Sequence, residues 1–159
     1  MKVTASVDGV VAQHIEIVAS PSLVFDALVS ADQLGQWWGS RDRYRSRWDV
    51  DLRVGGEYRC EAVMVDGTVM TVHGRFLEID RPARLTYTWN ASWDPSGESL
   101  VCYELTHRGE ATLVSVTHRC LTDDGARQEY RGGWAEVLGW LAAWVEGGSA
   151  ASPFLEASS

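Results

Sequence analysis

The sequence has 159 residues, of which 45% are hydrophobic, 23% charged and 10% aromatic. These proportions fit one folded globular domain, and they exclude the disordered, collagen-like and coiled-coil classes. The net charge of −8 argues against a nucleic-acid partner, because an acidic surface repels phosphate. The longest apolar stretch, residues 134–145, is too short to cross a membrane, and the first nine residues lack a signal-peptide pattern. We therefore expect a cytoplasmic protein.

The first predicted element is a strand over residues 10–18, where apolar and polar residues alternate. Ser20 and Pro21 then supply an N-cap and a first helical residue, which predicts a short helix. Ser30 opens a capping box and thereby a second short helix, which ends at Gly39. Two small helices are therefore expected to follow the first strand.

From Trp48 onward the apolar residues recur with a period of two, which is typical of strands. Gly55-Gly56, Asp66-Gly67 and an Asp-Pro-Ser-Gly sequence separate the runs, so that six or seven antiparallel strands are predicted. Gly74 interrupts the strand over residues 69–79 and is expected to mark a bulge. The side chains expected on the inner face are Trp48, Val50, Leu52, Tyr58, Cys60, Ala62, Met64, Leu85, Tyr87, Trp89, Val101, Tyr103, Leu105, Val114, Val116 and His118.

A final helix of about twenty residues is predicted after Asp123, because its apolar side chains follow the 3.6-residue helical period. An antiparallel sheet with one apolar face must be covered, and this helix is long enough to cover it. The predicted fold class is therefore α+β, with a curved antiparallel sheet wrapped around a long C-terminal helix. We divide the chain into an N-terminal extension (residues 1–9), one domain (10–146) and a flexible C-terminal tail (147–159).

The order of elements and several sequence segments resemble the START-related helix-grip superfamily, also called SRPBCC. The resemblance is strongest to proteins similar to the C-terminal domain of the heat-shock-protein ATPase activator, and it spans about residues 10–145. It implies a helix-grip fold with a deep hydrophobic pocket. Members include lipid and hormone binders, polyketide aromatase/cyclases, antibiotic-sequestering proteins and chaperone regulators, so the fold alone does not give the function. The segments are QLGQWWG (33–39), DLRVGGEY (51–58), GRFLEIDRPARLTYTW (74–89), TLVSVTH (112–118) and Gly133-Trp134.

Eight tryptophans are an unusual number for one domain, since each brings a large apolar area and an indole N–H that needs a partner. The inward aromatic side chains either surround a flat ligand or pack as ordinary core, and the pattern leaves both open. Trp37 and Trp38 are adjacent and cannot face the same way on a helix, so one is expected in the core and one at a pocket mouth. The candidate ligand-binding residues are Trp37, Trp38, Tyr58, Met64, Trp89, Tyr103, His118, Trp134 and Leu138.

Two features near the final helix have alternative interpretations. His118 is the candidate catalytic residue. It hydrogen-bonds a carbonyl or an indole N–H as a structural residue, which we favour, or it binds a ligand oxygen or acts as a general base. Gly132 and Gly133 each weaken the helix by about 1 kcal/mol relative to alanine. Room for a ligand, a close backbone approach or a bend in the helix would explain them.

Metal, cofactor and phosphate chemistry is not predicted. The four histidines and three cysteines show no metal-ligand spacing, and phosphate-binding and nucleophile-elbow motifs are absent from the sequence. We expect no metal, no cofactor and three buried, reduced thiols. The alternating arginines of residues 41–47 are interpreted as a solvated strand edge rather than an anion site.

The predicted function is the binding or sequestering of a hydrophobic, aromatic small molecule in an internal pocket. One alternative is a cofactor-independent cyclase, dehydratase or hydrolase that uses His118 with Tyr58 or Tyr103. The other is a co-chaperone-like interaction module. The expected partner is thus a hydrophobic small molecule, and neither a nucleic-acid nor a membrane partner is expected. The sequence leaves open whether the protein forms a homodimer. A chaperone partner is expected less, because the activator has an additional N-terminal domain without a counterpart in this sequence.

Overall fold

The computed structural model describes residues 9–147. The N-terminal extension and the C-terminal tail predicted from the sequence lie outside this range, apart from Gly9 and Gly147. In the described range, seven strands and three helices follow one another in the predicted order. They are β1 (Val11–Ile17), α1 (Pro21–Val29), α2 (Ala31–Trp37), β2 (Tyr44–Val50), β3 (Glu57–Met64), β4 (Val69–Asp80), β5 (Arg84–Ala91), β6 (Ser99–Arg108), β7 (Ala111–Arg119) and α3 (Asp124–Glu146).

The strands form one antiparallel sheet in the order β1-β7-β6-β5-β4-β3-β2. Neighbours in the chain are neighbours in the sheet, except that α1 and α2 carry the chain from β1 at one edge to β2 at the other. The long helix α3 covers the apolar face of the curved sheet. The predicted α+β fold with a curved antiparallel sheet, two short helices and a long C-terminal helix is confirmed, and the six or seven predicted strands are seven in the described range.

Each helix begins at the capping residue that the sequence indicates. The Ser20 hydroxyl accepts a hydrogen bond from the Leu23 amide, and the Ser30 hydroxyl accepts one from the Gln33 amide, each at 3.3 Å. The Asp123 carboxylate accepts from the Ala126 amide at 2.9 Å at the start of α3. These bonds satisfy amide donors that have no partner inside the helix. Local chemistry thus fixes the residue at which each helix starts.

The first half of the sheet differs from the prediction at β2. This strand starts at Tyr44, earlier than predicted, and ends at Val50. Leu52, expected on its inner face, lies beyond the strand and is 39% exposed. The Asp51 amide already donates to the Glu57 carbonyl at 3.0 Å, so the chain turns before Leu52 can continue the alternation.

Gly74 does not mark the bulge of the sheet. The register between β4 and β5 shifts between Phe76 and Glu78 instead. A Cβ at Gly74 would lie 2.0 Å from the Thr88 carbonyl oxygen, to which the Tyr58 hydroxyl also donates at 2.6 Å. Only glycine therefore allows β5 to approach β4 this closely.

The three cysteines are free thiols, and their exposure departs from the expectation. Cys60 is buried on the inner face of β3, where burial raises the pKa of its thiol to about 12. Cys102 is half-buried and Cys120 is exposed. The prediction of three buried thiols was therefore wrong for Cys102 and Cys120, which lie outside the inner-face register of the sheet.

Candidate ligand-binding cavity

A cavity of about 850 Å³ lies between α3 and the strands β2, β3 and β4. This volume falls within the roughly 300–1,000 Å³ of typical small-molecule sites. Its wall consists mainly of aromatic and aliphatic side chains, with a few charged ones from α3 and from the segment before β2. The lining residues are Trp38, Arg43, Tyr44, Trp48, Cys60, Ala62, Met64, Met70, Val72, Trp89, Trp93, Gln128, Glu129, Tyr130, Gly132, Gly133, Trp134, Glu136 and Val137.

The space is open because both walls carry small or unbranched residues at this level. Ala62 on β3 pairs with Met70 on β4, Met64 lies two residues further along β3, and all three line the cavity. Opposite them, α3 presents Gly132 and Gly133, whose Cβ atoms would meet no atom within 4 Å. The predicted explanation by a close backbone approach is therefore wrong, whereas room beside the helix is what the glycines provide.

The other end of the sheet is filled by aromatic rings. Tyr58, Phe76, Tyr87 and Tyr103 contact one another in a chain, with ring centroids between 5.0 and 6.3 Å apart. The ring of Trp134 on α3 continues this chain edge-on to Tyr103 at 6.0 Å. The sheet thus has a packed end and a hollow end, and the boundary between them runs through Trp134.

Indole rings form the floor of the cavity. Trp38 lies at the centre of this group, with its ring centroid 5.0 Å from Trp48, 5.8 Å from Trp134 and 6.4 Å from Trp89. Trp89 and Trp134 are 5.4 Å apart. These separations are those of favourable aromatic pairs, so the floor is a rigid apolar surface.

A buried hydrogen-bond chain holds one side of this floor. The Trp89 indole N–H donates to the Tyr130 hydroxyl at 3.0 Å, and that hydroxyl donates to the Asp94 carboxylate at 2.8 Å. Burial, together with the adjacent Asp94 carboxylate, raises the pKa of Tyr130 far above its ordinary value, so the phenol keeps its proton. The chain ties the β5–β6 loop to α3 and fixes the orientation of Trp89.

His118 lies beneath the other side of the floor and hydrogen-bonds Trp134. Its Nδ1 accepts the Trp134 indole N–H at 3.0 Å, and its Nε2 lies 2.7 Å from the Ser99 hydroxyl oxygen. Since Nδ1 is an acceptor, Nε2 carries the proton and donates to Ser99, which in turn donates to the Trp89 carbonyl at 3.2 Å. The side chain is fully buried, and burial lowers its pKa to about 4. Both nitrogens are engaged inside the core.

The structure brings some of the sequence-predicted site residues together at the cavity and places others behind it. Trp38, Met64, Trp89 and Trp134 line the cavity. The remaining candidates are buried without lining it: Trp37, Tyr58, Tyr103, His118 and Leu138. Of the adjacent tryptophans, Trp37 is therefore the core residue, with its N–H donating to the Ala27 carbonyl at 3.0 Å, and Trp38 is the cavity residue.

Sequence reasoning did not place Arg43, Tyr44 or Glu136 at the mouth of the cavity, although Arg43 belongs to the arginine row that was interpreted as a solvated strand edge. Arg43 forms an ion pair with Glu136 on α3, which joins the segment before β2 to the helix across the opening. The Tyr44 ring stacks edge-on against Trp140 at 5.8 Å, and burial raises the pKa of the Tyr44 phenol to about 12. The pairing of residues so far apart in the chain has no local sequence signal. For the α3 side of the cavity, the available sequence signal was the pair Gly132 and Gly133.

The described residues hold no group of three or more His, Cys, Asp or Glu side chains arranged to bind a metal ion.

Within residues 9–147 no helix has the length and apolar character needed to cross a membrane. Of the four arginines before and on β2, Arg47 forms an ion pair with Glu61 on β3 at 3.1 Å, and Arg43 forms one with Glu136 on α3.

Comparison with known proteins gives one family. The family model described as "Activator of Hsp90 ATPase homolog 1-like protein" matches residues 18–146, from the end of β1 to the end of α3. No curated protein matches the sequence. The matched range contains all the described residues that line the cavity.

Solved structures share the fold. Protein CV1439 from Chromobacterium violaceum has 25% sequence identity and a TM-score of 0.80, covering 87% of this chain and 97% of that one. CalU16 from Micromonospora echinospora has 23% identity and a TM-score of 0.66, covering 86% and 75%. DynU16, from the dynemicin biosynthetic locus, has 21% identity and a TM-score of 0.72; 91% of this chain matches 50% of DynU16. These likenesses support the helix-grip architecture.

Proposed function

The chain belongs to the family of activator of Hsp90 ATPase homolog 1-like proteins, and we propose that it binds or sequesters a hydrophobic, aromatic small molecule. The ligand lies in the cavity between α3 and the strands β2, β3 and β4. The observation that carries this proposal is the hollow itself: about 850 Å³ walled by indole, phenol and methionine side chains. A flat apolar ligand gains burial on these surfaces and aromatic contacts with the floor.

The disposition of the titratable groups favours binding over catalysis. His118 has no nitrogen directed to the cavity, and its lowered pKa makes it a weak base. The two tyrosines considered as its catalytic partners, Tyr58 and Tyr103, are buried at the packed end of the sheet. Tyr130 reaches the cavity, but its hydroxyl already donates to Asp94 and accepts from Trp89. We therefore do not propose turnover by these groups.

The family description names a chaperone ATPase activator, yet the described residues favour a small-molecule ligand. Their large exposed hydrophobic side chains are aliphatic apart from Trp93 and lie on several elements, with Val63 and Val69 paired on the β3–β4 hairpin. The cavity wall instead collects aromatic residues around one hollow. A cytoplasmic location, a homodimer and a chaperone partner remain predictions from the sequence.

Binding can be tested with a panel of neutral two- and three-ring aromatic compounds. We expect a saturable rise in the melting temperature and quenching of tryptophan fluorescence, since several indoles line the cavity. At about 100 times the dissociation constant, a ligand adds ~2.7 kcal/mol to the free energy of unfolding. If no compound of the panel produces a saturable shift, and calorimetric titration gives no binding heat, the proposed function is wrong.

A further inference from the structure

The charges at the cavity are not balanced. Among residues 9–147, three charged side chains line it: Arg43, Glu129 and Glu136. Arg43 and Glu136 neutralise each other in an ion pair across the mouth. Glu129 has no ion-pair partner among residues 9–147, so that one negative charge faces the opening without compensation.

Glu129 and Glu136 lie on the same face of α3, with Gly132 and Gly133 between them. Residues spaced by three, four and seven positions align on a helix, so the two carboxylates flank the open space that the glycines leave. A ligand held against the glycines therefore has a carboxylate one helical turn away on either side. Its polar end would meet Glu129 without displacing any existing partner.

The aromatic floor adds to this preference. The faces of indole and phenol rings carry partial negative charge and attract a cation positioned over them. Trp38, Trp89 and Trp134 present such rings to the cavity, and the Tyr130 phenol keeps its proton instead of becoming an anion. An anionic ligand would instead have to take Arg43 away from Glu136 and approach Glu129.

From this arrangement we infer that the cavity selects cationic aromatic ligands, specifically aromatic amines that are protonated at neutral pH, over neutral or anionic ligands of the same shape. This inference rests on the proposed function, because it specifies the ligand class of the same cavity. The ring system packs on the indole floor, and the ammonium group points to Glu129. The acidic surface of the chain, with its net charge of −8, also attracts cations to the mouth.

Three matched probes test the inference: 1-naphthylmethylamine, 1-naphthylmethanol and 1-naphthylacetate. They share one ring system and carry a positive, a neutral and a negative group. By calorimetric titration at pH 7 and low ionic strength, we expect the amine to bind about tenfold more tightly than the alcohol. The acetate should bind more weakly than the alcohol.

The carboxylate is tested by Glu129→Gln. This variant should lower the affinity for the amine roughly fivefold and change the affinity for the alcohol less than about twofold. The matched control is Glu110→Gln in the turn between β6 and β7, which makes the same change in net charge away from the cavity. Glu110→Gln should leave both affinities close to those of the wild type.

The outcomes separate the two proposals. If the alcohol or the acetate binds as tightly as the amine, the selection of cations is wrong and the binding function stands. An equal loss of amine affinity in Glu129→Gln and Glu110→Gln would also overturn the inference, since the effect would then be one of net charge. If none of the probes binds, and the wider panel of aromatic compounds fails as well, the binding function itself is wrong.

Discussion

Replacing Gly133 by leucine is expected to abolish ligand binding and, at the same time, to stabilise the folded protein. A Cβ at this position meets no atom within 4 Å, so the leucine side chain extends into the cavity instead of into the core. The helix gains up to about 1 kcal/mol in propensity from the loss of a glycine. Calorimetric titration with 1-naphthylmethanol should show a loss of affinity of about 100-fold or more, as expected when the site is occupied.

The control for this variant is Gly139→Leu on the same helix. Gly139 is exposed, its Cβ also meets no atom within 4 Å, and it does not line the cavity. Both variants should therefore show similar gains in stability by urea denaturation, but only Gly133→Leu should lose binding. Unchanged affinity in a folded Gly133→Leu variant would mean that the ligand binds elsewhere.

The second large effect is a loss of folding stability at acidic pH, which we expect to depend on His118. Its pKa is about 4 in the folded protein and ~6.5 in the unfolded chain, so the unfolded state binds more protons between these values. The stability that depends on the neutral imidazole is therefore fully present above about pH 6.5 and is lost as the pH falls towards 4. The loss amounts to about 3 kcal/mol over this window. Urea denaturation at a series of pH values measures it.

The variant His118→Leu separates this contribution from that of other acidic groups. It should lower stability at pH 7 by about 1–3 kcal/mol, because the Trp134 indole N–H loses its acceptor. It should also flatten the fall in stability between pH 6.5 and 4 relative to the wild type. His14→Leu, at an exposed position on β1, serves as the control and should keep the wild-type slope. A wild-type slope in His118→Leu would show that this histidine is not held neutral by burial.

The fold could be predicted because its signals are local. Ser20, Ser30 and Asp123 mark helix starts by their own hydrogen bonds, and the alternation of Tyr58 and Cys60 with charged residues defines a strand face. The predicted end of β2 was wrong because local alternation does not show where a strand stops. The alternation of apolar residues continues to Leu52, but the turn that ends the strand is closed by a bond between Asp51 and Glu57.

The cavity wall could be predicted only in part. Strand parity identifies inward side chains, and Met64 and Trp89 line the cavity as expected. The same parity holds for Tyr58 and Tyr103, yet these rings lie at the packed end of the sheet. Which inward residues face the hollow depends on where α3 crosses the sheet, and that position is set by contacts between distant segments.

The most direct test of a ligand-binding hollow uses the methionine methyl groups. Met64 and Met70 both line the cavity, and neither is replaced in the Gly133→Leu variant. With ¹³C-methyl-labelled methionine, titration with 1-naphthylmethanol should move both methyl signals saturably by ring-current shifts, and Gly133→Leu should remove the response. Methyl signals of Met64 and Met70 that stay in place while the probe binds, or that do not respond at any probe concentration, would contradict a binding cavity between α3 and the sheet.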